Sequence, residues 1–291
     1  MRSDELRELA GNENFISGIY NYCDRWCERC PFTFRCLLYA TEKADPDLAD
    51  PETRDITSEK FWRNLESIFR STAELIAEWA AETGVDLNSI DVSQETAEHK
   101  RETEAAEENE LSQTARLYAT TVGNWFRDEF ATEENVYDDM QTSLDSDDSE
   151  VGVQDASEII RWYQFFIAVK LMRALSSSSH SEEDLDDEDD LSMDFLGNFD
   201  EADDEDIDYD EIIAKTDRMD SNGSAKVALV AIDRSIGAWR VLQFSLPEKS
   251  DTIKPILLEL DGLRRGIETR FPRARDFIRP GLDESLSDFV S

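Results

Sequence analysis

The clearest pattern in the chain lies between residues 57 and 84. Phe61, Leu65, Ile68, Phe69, Thr72, Leu75, Ile76 and Trp79 recur at the i, i+3, i+4, i+7 spacing that lays one apolar stripe along a helix. Thr57 or Ser58 supplies the N-cap and Gly84 the C′ glycine. Residues 94–131 start polar on every side, through Glu95, Glu98, His99 and Glu102, and turn amphipathic at Leu111, Ala115, Tyr118, Val122 and Trp125. Two further stretches, 156–176 and 225–246, are apolar nearly all round, as helices in the middle of a core are. Between them, Ser221-Asn222-Gly223-Ser224 reads as a break with Ser224 as N-cap, and Pro247 closes the second stretch. Ile253, Leu257, Leu260, Leu263 and Ile267 predict a last amphipathic helix over 251–270.

These elements predict an all-α fold, an elongated up-and-down bundle of residues 57–84, 94–131, 156–176 and 225–246 with 251–270 alongside. The expected divisions are an N-terminal segment with a four-cysteine helical hairpin docked on one end (1–44), a linker (45–56), first bundle helices (57–176), an acidic disordered insertion (177–208), closing helices (209–272) and a tail (273–291). The segment Asp138–Asp155 is acidic and poor in helix formers, so it reads as a loop. Lys226, Asp233 and Arg240 recur every seven residues; buried, the stripe needs partners such as Glu158 and Arg161, and solvated it needs none.

Charge changes the picture next. The net charge is −38, and Ser181 to Glu211 alone carries eighteen acidic residues and no basic one. That balance argues against nucleic acid or an anionic bilayer as partner. Only eight lysines stand against 35 aspartates. A salt-rich, halophilic cytoplasm would screen the self-repulsion of such a surface. No run of eighteen apolar residues predicts a membrane span, and a secretory signal is not expected, so the location expected is cytoplasmic. Within the insertion, Leu191, Met193, Phe195, Leu196 and Phe199 form an apolar island suited to docking on this protein or on a protein partner.

The candidate chemistry sits in one place. All four cysteines, Cys23, Cys27, Cys30 and Cys36, fall within fourteen residues with the spacing C-x3-C-x2-C-x5-C. On an α-helix the first three share one face, Pro31 then turns the chain, and Cys36 returns on a second arm. Buried unligated thiols, two disulfides and a metal centre are the readings open to such a set. Disulfides suit oxidising compartments. Structural zinc sites pair two C-x2-C knuckles, whereas only Cys27-x2-Cys30 occurs here. Iron–sulfur clusters take several thiolates from one short run, so a [4Fe-4S] cluster leads, with Zn2+ as the alternative. The spacing of Cys23, Cys27 and Cys30 also repeats the radical-SAM cluster loop, without that family's strands. Arg25, Arg29 and Arg35 could offset thiolate charge.

Other chemistry lacks its residues. His99 stands alone among glutamates, no Glu-x-x-His pair supports a ferritin-like oxidase, and no EF-hand loop, P-loop or G-x-G-x-x-G appears. No catalytic residue is assigned, and no reaction is indicated. The stretches YNYCDRWCERCPFTFRC, IRWYQFFIAVKLMRAL and SNGSAKVALVAIDRSIGAW resemble a family of uncharacterised bacterial proteins with closely similar segments. The resemblance covers most of the chain outside 181–208. It implies an all-helical cytoplasmic protein in which the cysteine segment and the two central helices belong together, and it implies no activity. Two functions follow: a metal-binding protein whose iron–sulfur centre serves electron transfer or redox sensing, and a non-enzymatic scaffold with a structural zinc.

Overall fold

The computed structural model describes residues 8–44, 50–53, 55–130, 148–178 and 209–283. Among them every regular element is helical and no strand occurs. The α-helices are α1 (Leu37–Ala44), α2 (Glu59–Thr83), α3 (Ser93–Glu108), α4 (Glu110–Phe130), α5 (Asp148–Ser176), α6 (Tyr209–Ser245) and α7 (Ser250–Arg270), with short 3-10 turns between some of them. The chain forms two compact units, Met1–Ala97 with Arg279–Ser291, and Glu98–Ile278. The 131–147 and 179–208 stretches, which hold most of the expected loop and insertion, lie outside the described residues.

In the larger unit, α4 to α7 share one core. Tyr118, Ile160, Tyr163, Ile167, Leu171, Leu229, Ile232, Trp239, Leu242, Ile253 and Leu260 are all buried in it. Neighbouring helices run antiparallel, as their contacts show. Ser221 donates to the carbonyl of Ala174 (3.1 Å) near one end of α5 and α6, while Gly152 abuts Val241 at the other. Along α4 and α7, Gly266 sits against Leu111 and the Trp125 indole donates to Thr252 (2.9 Å). Asn109 starts α4 by accepting the Leu111 N–H (2.9 Å), the ordinary work of an N-cap.

Four expectations change here. First, α6 runs unbroken through Ser221-Asn222-Gly223-Ser224. Packing outweighs the local preference: Ser221 and Ser224 are buried, small residues let α6 approach α5 closely, and the penalty for one helical glycine is only about 1 kcal/mol. Second, α5 begins at Asp148, so the acidic residues to Asp155 are helical and not loop. Third, α5 is not apolar-buried all round, because Trp162, Phe165 and Val169 are exposed. Fourth, the residues after α7 are not a free tail up to 278: Phe271, Ala274 and Phe277 are buried, with the Ala274 N–H on the Phe271 carbonyl.

Two of the three stripe charges on α6 serve α7 and that closing segment, while Arg240 is exposed. Lys226 donates to the Arg275 carbonyl (2.5 Å), and Asp233 pairs with Arg275 (2.6 Å) and Arg264 (3.6 Å). The partners proposed for it, Glu158 and Arg161, are placed otherwise: Glu158 is exposed, and Arg161 lies over the Phe126 ring at 4.3 Å.

In the smaller unit, α2 begins and ends as its sequence predicts. The Ser58 side chain accepts the Lys60 N–H, and Gly84 takes the left-handed conformation at φ 75°. Lys60 also holds Asp50 and Glu52, each at 2.8 Å. Ile16 and Gly281 are in close contact, with Gly281 again left-handed at φ 67°.

Candidate metal centre

The cysteine stretch does not form the first arm of a helical hairpin, so Cys23, Cys27 and Cys30 do not share an α-helical face. Residues 17–23 are turns and bends, followed by 3-10 turns at Cys27–Arg29 and Thr33–Arg35. The reason is local. Gly18 is left-handed at φ 71°, and the Asp24 carboxylate accepts the Trp26 N–H (3.2 Å), a side-chain turn that competes with helix. Arg25 is left-handed too, at φ 59°, which a non-glycine residue adopts at a cost in strain.

The two ends of the stretch are tied together. Ile16 donates its N–H to the Arg35 carbonyl (3.0 Å), and the Arg35 guanidinium donates to the Asn14 carbonyl (3.1 Å). Ile19 and Tyr22 are buried and anchor the loop. The chain between 16 and 35 is therefore a closed loop that carries Cys23, Cys27 and Cys30, with Cys36 just past the closure. Cys36 also opens α1, since its carbonyl accepts the Ala40 N–H (3.0 Å).

All four thiols are half-buried, and no disulfide joins them. The Cys23 thiol donates to the Tyr20 carbonyl at 3.6 Å. The Cys30 sulfur accepts the Phe32 N–H at 3.4 Å. Cys27 has the most perturbed chemistry: burial first, and then the Glu42 carboxylate, push its thiol up to about 11, with Cys23 and Cys36 adding to the rise and Arg25 opposing it. Cys27 thus feels the charges of Cys23, Cys36 and Glu42, while Arg25 pairs with Glu42 at 3.2 Å. Of the arginines expected to offset thiolate charge, Arg25 acts on Cys27, Arg29 stacks on Trp26 at 4.1 Å, and Arg35 closes the loop.

Sequence reasoning missed Glu42. Nothing in the cysteine spacing points to it, because it comes from the next helix and meets Cys27 only through the fold. The turn itself was readable from Gly18 and Asp24. Among the described residues, no three His, Cys, Asp or Glu side chains stand together as a finished metal site. The donor set nonetheless suits a thiophilic metal: four sulfurs on one short stretch, one of them already accepting a backbone N–H. His99 is exposed on α3. No helix among the described residues is long and apolar enough to cross a membrane. No family model, curated protein or solved structure matches the chain.

Proposed function

We propose that Cys23, Cys27, Cys30 and Cys36 together hold a metal centre, a four-iron cluster that serves electron transfer or redox sensing. The observation that carries this reading is the confinement of all four cysteines to one closed loop and its exit. A cation there would be ligated only as the thiols lose their protons. Such a cluster, when bound, supplies one-electron chemistry. The chain's own part is to hold the loop ends at residues 16 and 35, to donate the Phe32 N–H to a ligand sulfur, and to place Arg25 beside Cys27. Hydrogen bonds to sulfur and nearby positive charge both raise the ease of reduction.

A second reading is a structural zinc on the same four sulfurs, in a scaffold that binds a protein partner. The 3-10 turn at Cys27–Arg29 with the Phe32 N–H on Cys30 favours it, since tight turns are what zinc knuckles use. In both readings α4 to α7 act as an up-and-down bundle, the setting is a salt-rich cytoplasm, and the acidic surface turns away nucleic acid. The resemblance to uncharacterised bacterial helical proteins belongs to the same reading.

Purification without oxygen tests it. The iron–sulfur reading expects brown protein with iron and sulfide in equal amounts, lost in Cys27→Ser and reduced in Cys36→Ser. Colourless protein with one tightly held zinc would move the function to the scaffold. Metal-free native protein with four reactive thiols refutes both.

A further inference from the structure

The α2 helix is the most secure element in the sequence, yet its apolar face stands open. Trp62, Ile68, Phe69, Ile76 and Trp79 are 55%, 46%, 65%, 48% and 52% exposed. Its seam follows a heptad: Phe61, Leu65, Ile68, Thr72, Leu75 and Trp79 are separated by 4, 3, 4, 3 and 4 residues. Trp62, Phe69 and Ile76 flank the seam every seventh residue and widen it on one side. An aromatic face of this width is beyond what a single exposed side chain needs to explain.

The seam is also symmetric about position 70. Reversing it pairs Phe61 with Trp79, Leu65 with Leu75 and Ile68 with Thr72. A face that reads the same in both directions matches a second copy of itself turned antiparallel, which is what a two-fold interface requires. The charges agree. Lys60, Arg63 and Arg70 outnumber Glu59 and Glu66 in the first part of the helix, and Glu74, Glu78 and Glu82 fill the second. Antiparallel pairing sets the basic part over the acidic part, whereas parallel pairing stacks glutamates on glutamates. We propose that α2 is a self-association helix, pairing antiparallel with α2 of a second copy of this chain.

The area is sufficient. Three half-open aromatic rings and two isoleucines offer on the order of 500 Å2 per copy, judged from about 150–250 Å2 for a whole aromatic side chain. Two copies then bury roughly 1,000 Å2, at which specific interfaces begin, and the half-buried Phe61, Leu65 and Leu75 add to it. A lipid surface fits worse, because interfacial helices carry a basic polar face and this one is net acidic. Two copies of net charge −38 repel in dilute buffer. The pair therefore tightens in molar salt, where the Debye length falls to about 3 Å.

Sedimentation equilibrium of the full chain in molar potassium chloride reads the proposal directly. The native protein should be a dimer at micromolar concentration. Phe69→Glu and, independently, Ile76→Glu should weaken association by more than about tenfold, a change of one decade in Kd. Ala77→Gln, exposed and on the face away from the seam, should leave it within a few-fold of native. Far-UV circular dichroism shows that the variants keep their helix. At 0.15 M salt, where charges act over about 8 Å, a copy carrying Glu74→Lys, Glu78→Lys and Glu82→Lys should pair with native protein more weakly than native with native; clearly tighter pairing would mean a parallel seam and overturn the antiparallel one. A native monomer at high concentration, or a dimer untouched by both face substitutions, overturns the proposal altogether.

Discussion

Trp239 and Tyr118 meet at the centre of the larger unit, and their contact allows a clean test of its core. Both are fully buried, and the indole N–H donates to the tyrosine hydroxyl at 3.2 Å. Trp125 packs on Trp239 edge to face, with centroids 4.8 Å apart. Replacing Tyr118 by Phe removes the acceptor and orphans a buried N–H, at about 1–3 kcal/mol. Replacing Trp239 by Phe takes the indole donor from the hydroxyl, which keeps Ser235 beside it, and empties part of the ring volume, for a loss of about 2–4 kcal/mol. The double variant has neither polar group, so its loss should fall short of the sum by about 1 kcal/mol. Denaturant unfolding of the four proteins gives that coupling. Each 1 kcal/mol also moves Tm by about 2–4 °C in a unit of this size. Additivity within about 0.5 kcal/mol would mean that the hydrogen bond contributes nothing and would refute the reasoning.

Glu259 has a buried Oε1 without a hydrogen-bond partner, and burial pushes its carboxyl above the usual range. A raised folded value means stability that is present in acid and lost as pH rises through it. Glu259→Gln should therefore stabilise the protein at pH 7, with the gain vanishing toward pH 4 in paired melts. At Gly281, left-handed at φ 67°, an added Cβ would lie 2.5 Å from Ile16 Cδ1. Gly281→Ala should cost about 1–3 kcal/mol and speed amide exchange in the smaller unit, where Ile16 anchors the loop. Global stability should rise from dilute buffer to molar potassium chloride, because screening relieves the repulsion of a −38 chain; a flat melting curve across that range would contradict it.

What the sequence made legible, and what it hid, follows from where the decisive interactions lie. The α2 helix was readable from end to end because its signals are local: Ser58 caps it, Gly84 stops it, and its stripe repeats without interruption. The break expected at Gly223 was a local signal too, but there the distant Ala174 carbonyl and the close α5 surface decided the outcome. The order of the charged stripe was likewise visible, while its partners were not. Arg264 reaches Asp233 because α7 packs on α6, and Arg275 because the chain after α7 folds back onto α6. Periodicity reports which face of a helix is apolar and says nothing of which remote side chain will meet its polar edge.

The cysteine segment divides along the same line. Its residue types announced a thiol site, and the wheel that placed three of them on one face assumed an uninterrupted helix. Gly18, Asp24 and Arg25 undo that assumption within a few residues, and in the loop they make the Cys27 thiol is raised by burial and by the Glu42 carboxylate. With its thiol pushed up to about 11, Cys27 stays protonated at neutral pH until something positive takes the proton's place. Arg25 opposes that rise, while its guanidinium is tied to Glu42 and its backbone is held in a strained conformation. The left-handed Arg25 turns the chain just before the Cys27–Arg29 turn, so its strain is the cost of breaking the helix that would have aligned three cysteines. Under the proposed metal reading, the same turn keeps a positive charge near Cys27, where it opposes the rise of the thiol.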